Sequence, residues 1–300
     1  MSRLGRMSET WVPTALSIAG SDSGGGAGIQ ADLKAFARCG VHGMTAIAAI
    51  TAQNTLEVDG VEPVSPKMVF DQIATVGQDI RVDAIKIGML GSAETVEWVH
   101  TALILVYVER APVVLDPVMV SESGAILLDE ETREALVERL LPRAAVVTPN
   151  IPEARVLTDA GEGASQEELA RGVFELGPRA VVVTGGHSED LVDLFFDGER
   201  MVEIHGERHP GGSAHGSGCT HSSALAAFLA HGDEPLEAAC KARTVASQAV
   251  AAGLREVGGG PGPVDALGVR GRGQDVVAAT SVPVRAGSAG VDAAHECQGR

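Results

Sequence analysis

Three hundred residues with 45% hydrophobic content are enough for one substantial buried core, and 40 acidic against 23 basic side chains leave a formal net charge of −17. That balance argues against nucleic acid or an anionic membrane as partner, since both need a concentrated Lys/Arg face, and 3% aromatic content is too sparse for base-stacking platforms. With only four lysines (Lys34, Lys67, Lys86, Lys241) the chain fits a salt-rich cytoplasm; Cys39, Cys219, Cys240 and Cys297, scattered without a C-x-x-C pair or a secretory leader, point to reduced thiols in the cytosol.

Residues 1–12 read as a polar, irregular arm, with Met7 a second candidate start. From residue 13, short β-branched or apolar runs alternate with segments of helical period, the pattern of βα units around a mostly parallel sheet covered on both faces. Strands are predicted at 14–19, 44–51, 83–88, 112–116, 144–148, 179–184 and 191–196. Helices are predicted at 27–39, 66–78, 92–109, 130–140, 151–158, 165–176, 217–231 and 234–253. In the first of these helices Ile29, Leu33, Phe36 and Ala37 make the apolar stripe, the charged residues face elsewhere, and Gly40 stands where a C-cap glycine belongs. The apolar run TALILVYV at 101–108 is too short to span a bilayer. GGGPGP at 258–263 closes the last helix, and 269–300 lacks periodicity, so a tail without fixed structure is expected there, with Cys297 incidental. One domain over 13–268 remains.

Three stretches have the composition of a site. SIAGSDSGGGAGIQADLK (17–34) is a strand, a glycine-dense turn and a helix, which lets backbone N–H groups meet a ligand at the positive end of a helix; a flexible loop is the alternative. It is no Walker A loop, because no Gly-Lys-Ser/Thr follows, and Ile29 stands where G-x-G-x-x-G needs its last glycine. In TPNIPEA (148–154), Asn150 and Glu153 sit three apart across a strand end and a helix start, hard oxygen donors suited to Mg²⁺ held largely through water. Glu153 as a first-turn acid complementing the helix dipole is the other reading of that spacing. In HGSGCTHSSALAAFLAHG (215–232), Gly216, Ser217, Gly218 and Cys219 open a helix, so bare N–H groups form an anion site and the dipole favours the Cys219 thiolate. A buried structural cysteine is the alternative there.

Together with TAQNT (51–55), KIGML (86–90), VVLDPVM (113–119), GGH (185–187) and GPGPV (260–264), these stretches resemble the hydroxymethylpyrimidine/phosphomethylpyrimidine kinases of thiamin biosynthesis, in order from about 14 to 268. The resemblance implies the ribokinase-like α/β fold: a doubly wound, mostly parallel sheet between two helix layers, without a separate lid domain. It implies phosphorylation of a primary alcohol and then of a phosphate on an aminopyrimidine, with ATP as co-substrate and Mg²⁺ as cofactor, in a cytoplasmic homodimer. Carried over residue by residue, Gly216, Ser217, Gly218 and Cys219 make the anion hole and catalytic end. Gln53 bonds the aminopyrimidine, Met89 and Val118 line it, and Ala27 and Asp32 lie beside the hydroxymethyl group. Asn150 and Glu153 organise Mg²⁺ near the phosphates.

The chain departs from this pattern at Thr184, where the family has a lysine that reaches the nucleotide phosphates. Loss of one such preorganised donor is worth about 2–4 kcal/mol of transition-state stabilisation, for which K⁺, a second Mg²⁺ or His187 is a candidate replacement. Two rival functions follow: a pyridoxal or pyridoxine kinase, whose substrate is also a nitrogen heterocycle bearing a hydroxymethyl group, and a non-catalytic pyrimidine sensor.

Overall fold

A computed structural model describes residues 11–106, 110–119, 128–186 and 191–270. The chain divides after Gly268, and the elements below all belong to the first unit. In chain order they are β1 (Thr14–Ser21), α1 (Gly28–Arg38), β2 (His42–Gln53), β3 (Val58–Pro63), α2 (Pro66–Asp79), β4 (Ala84–Ile87), α3 (Ala93–Leu105), β5 (Val113–Leu115), α4 (Glu130–Ala135), β6 (Val146–Val147), α5 (Ile151–Thr158), α6 (Gln166–Glu175), β7 (Val181–Val183), β8 (Val192–Phe196), β9 (Met201–His205), α7 (Ser217–His231) and α8 (Pro235–Ala251).

The strands form one sheet in the order β3-β2-β1-β4-β5-β6-β7-β8-β9. From β2 to β7 the pairing is parallel, while β3 at one edge and β8 and β9 at the other run antiparallel to their neighbours. Central strands such as β4 (AIKI) and β5 (VVL) are buried along their whole length because helices cover both faces. One face packs Val69 and Ile73 of α2, Val96 and Val99 of α3, Ala154 and Leu157 of α5, and Leu169 and Val173 of α6. The other packs Phe36 of α1, Ala224 and Leu225 of α7, and Ala238 and Ala242 of α8. The alternation of runs read from the sequence therefore does give a doubly wound three-layer α/β sandwich.

The differences in detail have local causes. β3 (VDGVEP) is exposed on all but its first residue, and β9 has a single buried residue, so neither has the apolar run by which the central strands are recognised. The helix expected over 92–109 ends at Leu105, with residues 107–109 outside the described set. The helix expected over 130–140 is α-helical only to Ala135, then turns through a π segment (Leu136–Leu140) and a 3₁₀ turn (Leu141–Arg143). In α1 the buried face is Ile29, Ala31, Asp32, Ala35 and Phe36. Ala37 is exposed, and the expectation that the charged residues of this helix face elsewhere fails at Asp32, which is wholly buried.

Candidate active site

Chain order and sheet order part company at β1. The chain passes from β1 through α1 to β2 on one side and returns to β4 on the other, with α1 and α3 on opposite faces. Such a switch point leaves a crevice beyond the C-terminal strand ends. A cavity of roughly 780 Å³ opens there, lined from β1 (Ser21, Asp22), β4 (Lys86, Met89), β5 (Asp116, Val118), β6 (Thr148, Asn150) and β7 (Thr184), and closed by the N-terminus of α7.

The anion-binding end is built by two glycine turns pressed together. Asp22, at the end of β1, accepts hydrogen bonds from the N–H groups of Gly24 (2.8 Å), Gly26 (2.9 Å) and Ala27 (2.8 Å), which fixes the glycine-dense turn. Burial pushes its carboxyl up, but His215, 3.5 Å away, and these N–H groups outweigh that and hold it below the usual range. Gly216, with φ of 82°, is the N-cap of α7, and a Cβ there would run into the carbonyl of Gly26. Only glycine meets both demands. Ser217 N–H is used by Ala214 O at 2.8 Å, whereas the N–H groups of Gly218 and Cys219 bond no acceptor among the described residues, and both residues line the cavity. Together with the helix dipole these free donors suit an anion.

Beneath this end lies a charge cluster that the sequence reading missed. Lys86, 1% exposed, places Nζ 3.0 Å from Asp32 Oδ1, 3.2 Å from Asp32 Oδ2 and 3.8 Å from Asp116 Oδ2. Asp32 also accepts from the hydroxyls of Ser17 (2.5 Å) and Ser223 (2.7 Å), and Asp116 from Ser222 (2.9 Å). Asp32 was expected beside the substrate's hydroxymethyl group. It does not line the cavity; Lys86 and Asp116 do, and Asp32 anchors Lys86 from behind. Burial alone would lower the Lys86 ammonium, but the Asp32 and Asp116 carboxylates more than reverse this and hold it charged well above its ordinary range. A lone lysine in the apolar run DAIKIGML was the available signal, because lysine is almost never buried unpaired.

Cys219 differs from its expectation too. Burial pushes its thiol up to about 12; Lys86 and the Gly28 N–H pull it down, and Asp116 and Asp32 push it back up. The helix dipole is outweighed by two carboxylates and desolvation, so the resting side chain is a thiol rather than the thiolate the dipole alone would favour.

Gln53, Met89, Val118 and Ala27 also line the cavity, Ala27 beside Gly216 at the anion-binding end. The Gln53 backbone is clasped by Ser23, whose hydroxyl donates to Gln53 O (2.7 Å) and accepts from Gln53 N (2.8 Å). Its Oε1 lies 3.3 Å from Thr51 Oγ1. Met89 packs over Gly20 so closely that a Cβ there would sit 2.6 Å from its methyl group.

Asn150 and Glu153 form a reciprocal capping box at the start of α5: Glu153 N donates to Asn150 Oδ1 (2.8 Å), and Asn150 N donates to Glu153 Oε2 (2.9 Å). The helix-start alternative thus describes the local geometry, while both residues still face the cavity. Burial, reinforced by Asp116, pushes the Glu153 carboxyl up to about 8. Asp116 is likewise pushed up by burial. Two desolvated carboxylates, one raised further by the other, suit a hard divalent cation, so the donor set fits Mg²⁺ with Asp116 added to Glu153 and with Asn150 chiefly a cap. Thr184 lines the cavity beside them, its N–H bonded to Pro149 O at 2.8 Å, and His187 lies outside the described residues.

Residues 22–265 match the family model described as phosphomethylpyrimidine kinase. The chain is 47% identical over 256 residues to the hydroxymethylpyrimidine/phosphomethylpyrimidine kinase of Rhizobium meliloti (strain 1021), covering 83% of this chain and 95% of that one. Its fold is similar to that of Bacillus subtilis pyridoxal kinase, solved as an ADP complex (TM-score 0.77, 36% identity, 87% of this chain and 99% of that one). It is also similar to phosphomethylpyrimidine kinase from Clostridium difficile 630 (TM-score 0.70, 38% identity, 79% and 99%). With the match running from the glycine-dense turn to the segment after α8, this chain belongs to the phosphomethylpyrimidine kinase family.

Proposed function

We propose that this chain is the ATP-dependent kinase that phosphorylates 4-amino-5-hydroxymethyl-2-methylpyrimidine and then its monophosphate, giving the diphosphate for thiamin biosynthesis. The observation that carries this reading is the joining, in one cavity of a family member, of an amide-bearing wall (Gln53, Met89, Val118) to an N–H-lined helix start (Gly216–Cys219). The Gln53 amide both donates and accepts, so it matches a ring nitrogen and an exocyclic amine together. Held there, the pyrimidine points its hydroxymethyl group toward the α7 N-terminus.

Phosphoryl transfer passes through a loose transition state, so positioning and charge neutralisation dominate. The N–H groups of Gly218 and Cys219 take the equatorial oxygens, and Lys86 supplies a standing positive charge beneath them. Cys219 accepts the hydroxyl proton only as thiolate. Ionising a thiol of about 12 at neutral pH adds roughly 7 kcal/mol to that route, so the anion hole and Lys86 contribute more to the rate than the thiol does. Asp116 and Glu153 would hold Mg²⁺, which would supply charge neutralisation for the phosphoryl group. Exposed Ile50 on β2 and Leu56 in the turn after it offer apolar surface for the homodimer. Among the described residues no helix is long and apolar enough to cross a membrane.

The likeness to pyridoxal kinases favours one second reading, pyridoxal as substrate. ADP release measured side by side with hydroxymethylpyrimidine, its monophosphate and pyridoxal separates the two: the first two are expected to exceed pyridoxal. No turnover of the monophosphate would overturn the bifunctional assignment. Tight pyrimidine binding with no ADP release, even at high KCl, would leave a sensor.

A further inference from the structure

A second buried polar cluster lies at the β7–α8 end of the cavity, apart from Lys86. Arg243 of α8 reaches across to the β7–β8 turn, where Nη2 donates to Leu191 O at 2.6 Å and Nη1 stands 3.4 Å from Asp193 Oδ1. The same Asp193 oxygen accepts the Gly185 N–H at 2.9 Å, so the guanidinium is docked, through one carboxylate, on the residue next to Thr184. A Cβ at Gly206 would collide with the guanidinium, so its seat depends on a glycine. His221 of α7, one of the residues lining the cavity, completes the group with Nε2 3.7 Å from Asp193 Oδ2.

The cluster is short of partners. Arg243 Nε, Asp193 Oδ2 and both ring nitrogens of His221 are buried without a hydrogen-bond partner among the described residues. Native structures seldom leave four such atoms side by side unless a water, ion or ligand completes them. Burial, against the pull of Asp193, holds the His221 ring below its usual range and therefore neutral at pH 7, which leaves Arg243 as the group's cation.

A nucleotide polyphosphate brings several negative charges into a cavity already lined by Asp22, Asp116, Glu153 and Asp193. Lys86 is held between Asp32 and Asp116, and Arg208 stands in an exposed stretch. We propose that Arg243 is the residue that binds the nucleotide polyphosphate, with Asp193 and His221 as its positioning residues, and that it takes the part a lysine at 184 would otherwise play. This rests on the kinase reading above. A guanidinium suits the task because its planar fork stays charged and bonds two phosphate oxygens at once.

The test is calorimetric titration of the full chain with MgATP and, separately, with adenosine. Arg243→Gln is expected to weaken MgATP at least about tenfold, as loss of a charge-assisted hydrogen bond does, and to leave adenosine unchanged. Arg243→Lys should recover part of the loss. Arg243→Gln leaves Asp193 as an unpaired buried carboxylate, so Asp193→Asn is combined with it; the double variant should melt near wild type and still bind MgATP weakly. Unchanged MgATP affinity in Arg243→Gln, a parallel fall for adenosine, or the loss appearing in Arg208→Gln instead would each overturn the assignment. If the wild type binds MgATP but these variants do not differ, Arg243 alone is wrong; if the wild type binds no MgATP, the kinase reading falls and this inference with it.

Discussion

Replacing Lys86 by methionine keeps the length and apolar stem of the side chain and removes one buried positive charge. Asp32, wholly buried, then loses contacts of 3.0 and 3.2 Å, and Asp116 loses its cation at 3.8 Å. Breaking a buried pair from one side costs about 3–5 kcal/mol, because the remaining charge is left uncompensated. For a chain of this size, at about 2 °C per kcal/mol, that corresponds to a fall in Tm of about 6–10 °C. The same change removes the cation that favours the Cys219 thiolate and the charge beneath the anion hole, so kcat should fall by at least about a hundredfold, the scale for one preorganised electrostatic group. Thermal melting with ADP release at saturating substrates measures both effects. The double variant Lys86→Met/Asp32→Asn separates them: it removes both charges, so it should recover most of the stability and none of the activity. Full turnover in the double variant would show that Lys86 only balances charge, and an unchanged Tm in the single variant would refute the buried ion pair itself.

Alkylation of Cys219 by iodoacetamide, followed by peptide mass spectrometry, should be very slow at pH 7 and rise about tenfold per pH unit towards the thiol's value of about 12; rapid labelling at neutral pH contradicts that environment. Glu153, pushed up to about 8 from an ordinary 4.5, keeps a proton that the unfolded chain loses, so its stabilising contribution is complete below pH 4.5 and is lost as pH rises towards 8. In metal-free buffer Glu153→Gln, which can keep the capping box, should therefore flatten the decline in Tm between pH 5 and pH 8; an unchanged slope counts against the shift. Gly216→Ala forces a Cβ into the left-handed region and against Gly26 O, and should cost about 1–3 kcal/mol in denaturant unfolding together with most of kcat; wild-type behaviour would mean the two glycine turns do not touch.

The parts of this fold that were legible in the sequence are those in which burial repeats at a regular spacing. Strands such as VVL and AIKI stand out because both faces are covered, while β3, exposed and carrying Gly and Pro, leaves no such trace. Gln53, Met89, Val118, Ala27 and Gly216–Cys219 reach one cavity because each stands at a strand end or helix start, positions that motif order locates. Asp32 was misplaced because one turn of α1 separates a cavity wall from the core, and its partners Ser17 on β1, Lys86 on β4 and Ser223 on α7 reveal which side it faces. Arg243 and His221 gave no signal at all, since each is an isolated polar residue on a helix until Asp193, on another strand, brings them together.

The most direct test of the whole account is ADP release by the wild-type chain given the monophosphate of hydroxymethylpyrimidine with MgATP. The geometry predicts stoichiometric conversion to the diphosphate, faster than any turnover of pyridoxal. Pyridoxal turned over while the monophosphate is left untouched would contradict it.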